Sequence, residues 1–103
     1  MLTLKFNNNI YTLGDWKYTE KWCVRVLLPH NKHIERDFSN GIGLHKNEDI
    51  WYPLFNLVGS KGILGSYYKM YPNKNGFSLD QLEQAKNHMD EFIRKLNSLK
   101  GFL

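Results

Sequence analysis

The stretch Phe77-Ser78-Leu79-Asp80-Gln81-Leu82 carries the start signal of a helix in six residues. Ser78 is placed to act as the N-cap. Gln81, three residues on, can return its side chain to the Ser78 backbone and close a capping box, while Phe77 is spaced to staple onto Leu82. Beyond it, Leu79, Leu82, Ala85, Met89, Phe92, Ile93, Leu96 and Leu99 recur at helical spacing and form one apolar stripe. On the other side, Asp90/Arg94 and Glu91/Lys95 are spaced to pair at i,i+4, and Gly101 offers a stop. The pattern predicts a helix over residues 78–100, about 30 Å long at the usual rise and thus able to cover the face of a small sheet.

Upstream of that helix the chain reads as strands. Leu2, Leu4 and Phe6 alternate with polar residues, Asn7-Asn8-Asn9 is turn-like, and Ile10 to Leu13 returns, which predicts a first hairpin. Trp22 to Leu28 alternates and is β-branched. After the Pro29–Lys32 turn, His33 to Phe38 is expected to pair back, with Leu28 opposite Ile34, Arg25 opposite Asp37 and Val24 opposite Phe38. The register shifted by one would oppose Arg25 and Arg36, an unfavourable like-charge pair. Ser39–Gly43 and Leu44–Asp49 read as an irregular connection.

Ile50–Val58 and Ile63–Tyr71, joined by Gly59-Ser60-Lys61-Gly62, then read as a further hairpin, with Pro53 expected at an edge, a bulge or a non-bonded position. The fold class that follows is α+β: a mostly antiparallel sheet built from hairpins, with one long C-terminal helix packed on one face. At 103 residues this is a single domain, residues 1–77 forming the sheet region.

In that hairpin the two sheet faces separate. Trp51, Phe55, Leu57, Leu64, Tyr68 and Met70 would face the helix, while Tyr52, Leu54, Asn56, Val58, Ile63, Tyr67, Lys69 and Tyr71 would lie opposite. The second set is too aromatic for an ordinary solvated face and marks an interaction surface. Tyr52, Leu54, Tyr67, Lys69 and Tyr71, with Lys61 and Lys74 nearby, are therefore the candidate partner-binding residues.

Charge and composition narrow the function classes. The net charge is +4, and the acids and bases of residues 80–100 balance, so the surplus lies before the helix. That leaves nucleic-acid or nucleotide binding through a basic aromatic face as an alternative, although no clustered basic stripe supports it. One cysteine, Cys23, fits a small strand residue in a reducing compartment. The absence of a long apolar run or a signal-like N-terminus leads us to expect a cytoplasmic protein with no membrane role.

Catalytic and metal motifs are sparse. His30-Asn31-Lys32-His33 lacks a nearby second ligand pair, with only the distant His45 and His88 to complete a set, so no metal and no cofactor are expected. Glu35 and Asp37 share a strand face but lack the third acid and lysine of a metal-dependent nuclease, and no phosphate loop or nucleophile elbow occurs. The chain is expected not to be an enzyme. In general character, a compact chain rich in Asn, Lys and aromatics resembles the small accessory proteins that phages and mobile elements encode, including anti-CRISPR proteins. That resemblance implies an inhibitor acting by protein–protein interaction on a host protein or defence system, and an open aromatic face would also permit a homodimer.

Overall fold

The structure, a computed structural model, describes residues 2–6, 9–29, 40–57, 62–72 and 75–98. Strands β1 (Thr3–Phe6), β2 (Asn9–Leu13), β3 (Lys17–Tyr18), β4 (Trp22–Pro29), β5 (Gly41–Asn47) and β6 (Ile50–Asn56) come first. Helix α1 (Ile63–Met70), strand β7 (Phe77–Ser78), a 3₁₀ turn over Leu79–Gln81 and helix α2 (Leu82–Ser98) follow. The strands form one curled antiparallel sheet in the order β1-β2-β4-β5-β6-β7, with β3 added alongside β4. The α+β fold with a long helix on one sheet face is as the sequence predicts.

The ends of this plan follow from local signals. β1 and β2 form the first hairpin with Leu4 opposite Tyr11. At the helix start, the Ser78 backbone N–H donates to Gln81 Oε1 at 3.3 Å, and Phe77 is buried with Leu82 packed beside the same core. The periodic stripe is buried from Ala85 onward, where Ala85, Met89, Phe92, Ile93 and Leu96 face the sheet, whereas Leu79 in the 3₁₀ turn is exposed and Leu99 lies outside the described residues. Against them the sheet turns Leu4, Tyr11, Leu13, Cys23, Leu27, Ile42, Leu44 and Trp51, all buried.

The middle of the chain departs from expectation. β4 pairs with β5, matching Val24 to Gly43 and Arg25 to Ile42, so the segment read as an irregular connection is a central strand. The proposed partners Ile34, Asp37 and Phe38 lie outside the described residues. Gly43, read as part of that irregular connection, serves a close approach instead. A side chain at Gly43 would meet the Cys23 carbonyl and would come 2.7 Å from Val24 Cα.

Residues 63–70 form a helix, so the ladder expected between Ile50–Val58 and Ile63–Tyr71 does not exist. β6 instead pairs with β5 and, at Ile50 and Trp51, with β7. The reason is tertiary. In helical spacing Ile63 and Tyr67 share one face and bury it, and Tyr67 seats its ring 5.7 Å from Phe55 and 5.4 Å from Phe92. Three mutually tilted rings, with Phe55 and Phe92 themselves 5.3 Å apart, close the core at this end. Pro53 does occupy a non-bonded position. Lys46 N donates to Lys21 O just before β4, so by alternation Leu44 also points its N–H away from its β6 partner Pro53, and the β6–β7 pairing ends before Pro53 on the other side.

The expected Asp90/Arg94 and Glu91/Lys95 pairs are replaced by longer-range contacts. Arg25 Nη1 donates to Asp90 Oδ1 at 2.8 Å, while its Nε donates to the Gly14 carbonyl at 2.7 Å, tying α2 to β4 and to the β2–β3 turn. Glu91 accepts from the Tyr71 hydroxyl at 3.1 Å, and Lys95 Nζ lies 4.8 Å from the Tyr71 ring centroid. At the far end of α2 the Asn97 carboxamide donates to the Thr3 carbonyl and accepts from Lys5 N–H at 3.2 Å. It thereby occupies the edge of β1 that no described strand pairs, a common way of blunting an exposed edge.

Candidate functional site

Strand alternation decides what the helix leaves uncovered. In β4, Cys23, Arg25 and Leu27 point toward α2, so Trp22, Val24 and Val26 point away from it. The register carries this across the sheet in three rows: Trp22–His45–Tyr52, Val24–Gly43–Leu54 and Val26–Gly41–Asn56. Glycine occupies the centre of two rows; Gly41 leaves a hollow between the β4 side chains and Leu54, whereas Gly43 is buried with the Trp16 ring close by. A cavity of about 360 Å³ lies there, lined by Trp22, Val24, Val26, Leu54 and Asn56 with Asn40 at its end.

Trp22 anchors this face. It is 43% exposed, and its ring is tilted at 59° against His45 with centroids 5.0 Å apart. Val24, Val26, Tyr52 and Leu54 are half-buried on the side of the sheet that alternation turns away from α2. Beyond His45 a second hollow of about 320 Å³ is rimmed by Glu20, Lys21, Lys46 and Glu48, two acids and two lysines. An apolar, tryptophan-bearing patch with charged residues at one end of it has the composition of a protein interface.

The residues singled out from sequence divide between the two sides of the sheet. Tyr52 and Leu54 lie on the open face as expected. Tyr67 does not: it is fully buried on α1, on the helix side. Tyr71 follows α1 and packs on α2 through Glu91 and His88, while Lys69 is exposed on α1 and shares no face with Tyr52. Tyr68, expected in the core, is half-buried against it. Lys61 and Lys74 lie outside the described residues. Trp22, Val24, Val26 and His45 are the surface residues that the sequence reading passed over, and the signal for the first three was the alternation of Trp22-Cys23-Val24-Arg25-Val26 itself.

Elsewhere the polar groups are structural in their geometry. Lys86 Nζ donates to the Tyr18 hydroxyl oxygen at 2.6 Å and to Glu83 Oε1 at 3.0 Å, and these bonds, Tyr18's first, hold its pKa above the ordinary lysine value. Burial pushes the Cys23 thiol up, away from the reactive thiolate. Among the described residues no three His, Cys, Asp or Glu side chains converge as metal ligands, and no helix is long and apolar enough to cross a membrane. The His30–His33 and Glu35/Asp37 readings lie outside the described residues. Comparison with family models, with curated proteins and with solved structures returns no match to this chain.

Proposed function

We propose that this chain is a non-enzymatic binding protein that engages another protein through the helix-free face of its sheet, with Trp22 as the anchor. The observation that carries this reading is the set of three cross-strand rows, in which Trp22, Val24, Val26 and Leu54 occupy positions where a solvated antiparallel sheet normally shows polar side chains. The strand end beyond His45 carries both signs of charge, in Glu20, Lys21, Lys46 and Glu48, which favours a protein over a polyanion, because a phosphate-tracking surface concentrates one sign of charge. Composition adds a setting: an inhibitor of a host protein or defence system, anti-CRISPR-like in character, of the kind phages and mobile elements carry.

The test is affinity capture with the wild-type chain and with Trp22→Ala, Val24→Asp and, as a control on the other side of the sheet, Lys69→Ala. A protein retained by wild type and Lys69→Ala but lost from both outer-face variants, all still unfolding cooperatively, supports the reading. Retention of single-stranded nucleic acid with a steep salt dependence would replace it with the nucleic-acid alternative. Light scattering on the same samples reports whether the partner is a second copy of the chain.

A further inference from the structure

On the helix side of the sheet, remote from the Trp22 face, a cleft of about 460 Å³ opens between the end of α1, β7 and the first turns of α2. The side chains that matter are the rings of Tyr71, Phe77 and His88, the Met70 thioether and the carboxamides of Gln81 and Gln84. None carries a fixed charge.

The walls are pre-set. Tyr71 is held from both ends, its hydroxyl donating to Glu91 and its ring carrying Lys95 Nζ at 4.8 Å. His88 meets Tyr71 edge-on with centroids 5.2 Å apart and tilts against Phe77 at 5.6 Å. The His88 Nδ1 atom is buried with no hydrogen-bond partner among the described residues. Gln81, Gln84 and His88 fall at helical spacing on one side of the helix start. The Gln81 side-chain oxygen already accepts from Ser78 N–H, which leaves its NH₂ as a donor. Gln84 is exposed and keeps both a donor and an acceptor.

We propose that this cleft binds a neutral, planar nitrogen heteroaromatic of the nucleobase type. Flat rings and a polarisable thioether suit a π-surface, and the carboxamides match an edge that presents a donor beside an acceptor. Among the described residues no lysine or arginine lines the cleft, which favours the base or nucleoside over its phosphate as the recognised group. The site is independent of the sheet face argued above, and its occupancy would be unaffected by changes there.

The test is a two-dimensional NMR titration of the full chain with adenosine, cytidine and nicotinamide, and with adenosine 5′-monophosphate. At least one neutral probe is expected to shift the His88, Phe77 and Gln84 side-chain signals saturably, and the 5′-phosphate to add no affinity. Gln84→Ala, a surface change to a better helix former, is expected to weaken that binding about threefold to tenfold, the effect of one hydrogen bond. Trp22→Ala is expected to leave it unchanged. The proposal is overturned if no neutral probe saturates, if binding requires the phosphate and falls steeply with salt, or if Gln84→Ala binds as tightly as wild type.

Discussion

Replacing Tyr67 with Phe should stabilise this protein, against the usual direction of core substitutions. The Tyr67 side chain is fully buried, and its hydroxyl has no hydrogen-bond partner among the described residues. A buried hydroxyl without a partner costs about 1–3 kcal/mol in lost hydration. Tyr67→Phe removes that cost while keeping the ring, which lies 5.4 to 5.9 Å from Phe92, Tyr68, Phe55 and Tyr71. Allowing for the small void left by the oxygen, the expected gain is about 1 kcal/mol, or roughly 4–8 °C in Tm for a domain of this size. Tyr67→Ala, which removes the ring as well, should cost about 3–5 kcal/mol. Urea titrations of the three proteins measure both changes. A loss of 1 kcal/mol or more in Tyr67→Phe would refute the reasoning, because it would mean that the hydroxyl is satisfied.

The same variant has a pH signature. Burial first, and then the neighbouring Tyr68 and Tyr71, push the Tyr67 pKa up to about 12, against about 10 in an unfolded chain. Between those values the unfolded state has released the proton and the folded state has kept it. The contribution of this group is therefore intact below about pH 10 and is lost as pH rises toward 12. Tyr71, also raised to about 12 by burial and by its bond to Glu91, titrates in the same window in both proteins. The stability advantage of Tyr67→Phe should therefore widen from pH 10 to pH 12. An advantage that stayed constant across this range would refute the pH reasoning.

Four further substitutions and one double variant probe the scaffold. Asp90→Ala leaves the half-buried Arg25 guanidinium with only its Gly14 bond and should cost about 2 kcal/mol in urea unfolding, with Arg25→Met/Asp90→Leu recovering much of the loss. Gly43→Ala drives a methyl group into the β4 backbone and should cost about 3 kcal/mol or prevent folding, seen as lost thermal cooperativity, whereas Gly65→Ala, where a Cβ meets nothing within 4 Å, should be neutral or stabilising. Asn97→Ala unpins the β1 edge and should lower hydrogen-exchange protection at the Lys5 amide, with a loss of about 1 kcal/mol.

What could be read from sequence was what is encoded locally. The capping box at Ser78 and the stripe from Ala85 to Leu96 involve residues three or four apart, and the first hairpin spans a short turn, so these elements are legible without the rest of the chain. β5 was not legible, because its Gly43 answers to the β4 backbone and not to its sequence neighbours. Residues 63–70 carry Gly65 and two tyrosines, a local preference for strand, and the burial of Tyr67 against Phe55 and Phe92 outweighs it. Ile63, Tyr67 and Tyr71 at i, i+4 and i+8 were the helical signal. Misreading that segment moved the candidate surface: Tyr52 and Leu54 stayed on the open face, but Tyr67 moved into the core and Trp22 took its place at the centre of the site.

The distribution of aromatic side chains bears on where binding resides. Phe55, Tyr67, Phe92, Trp51 and Phe77 are all spent on the helix side, where one apolar stripe of α2 and the short α1 enclose them. Trp22 has no such role: it is 43% exposed, and the described contact that holds its ring is with His45 on the same face. Its removal should change stability by about 1 kcal/mol or less. An exposed tryptophan beside Val24, Val26 and Leu54 carries a standing risk of aggregation that folding does not require. Stability and binding should therefore separate on this sheet, with core substitutions moving the melting curve and outer-face substitutions moving only the partner. A Trp22→Ala variant that lost its partner and its cooperative unfolding together would show that this separation is wrong.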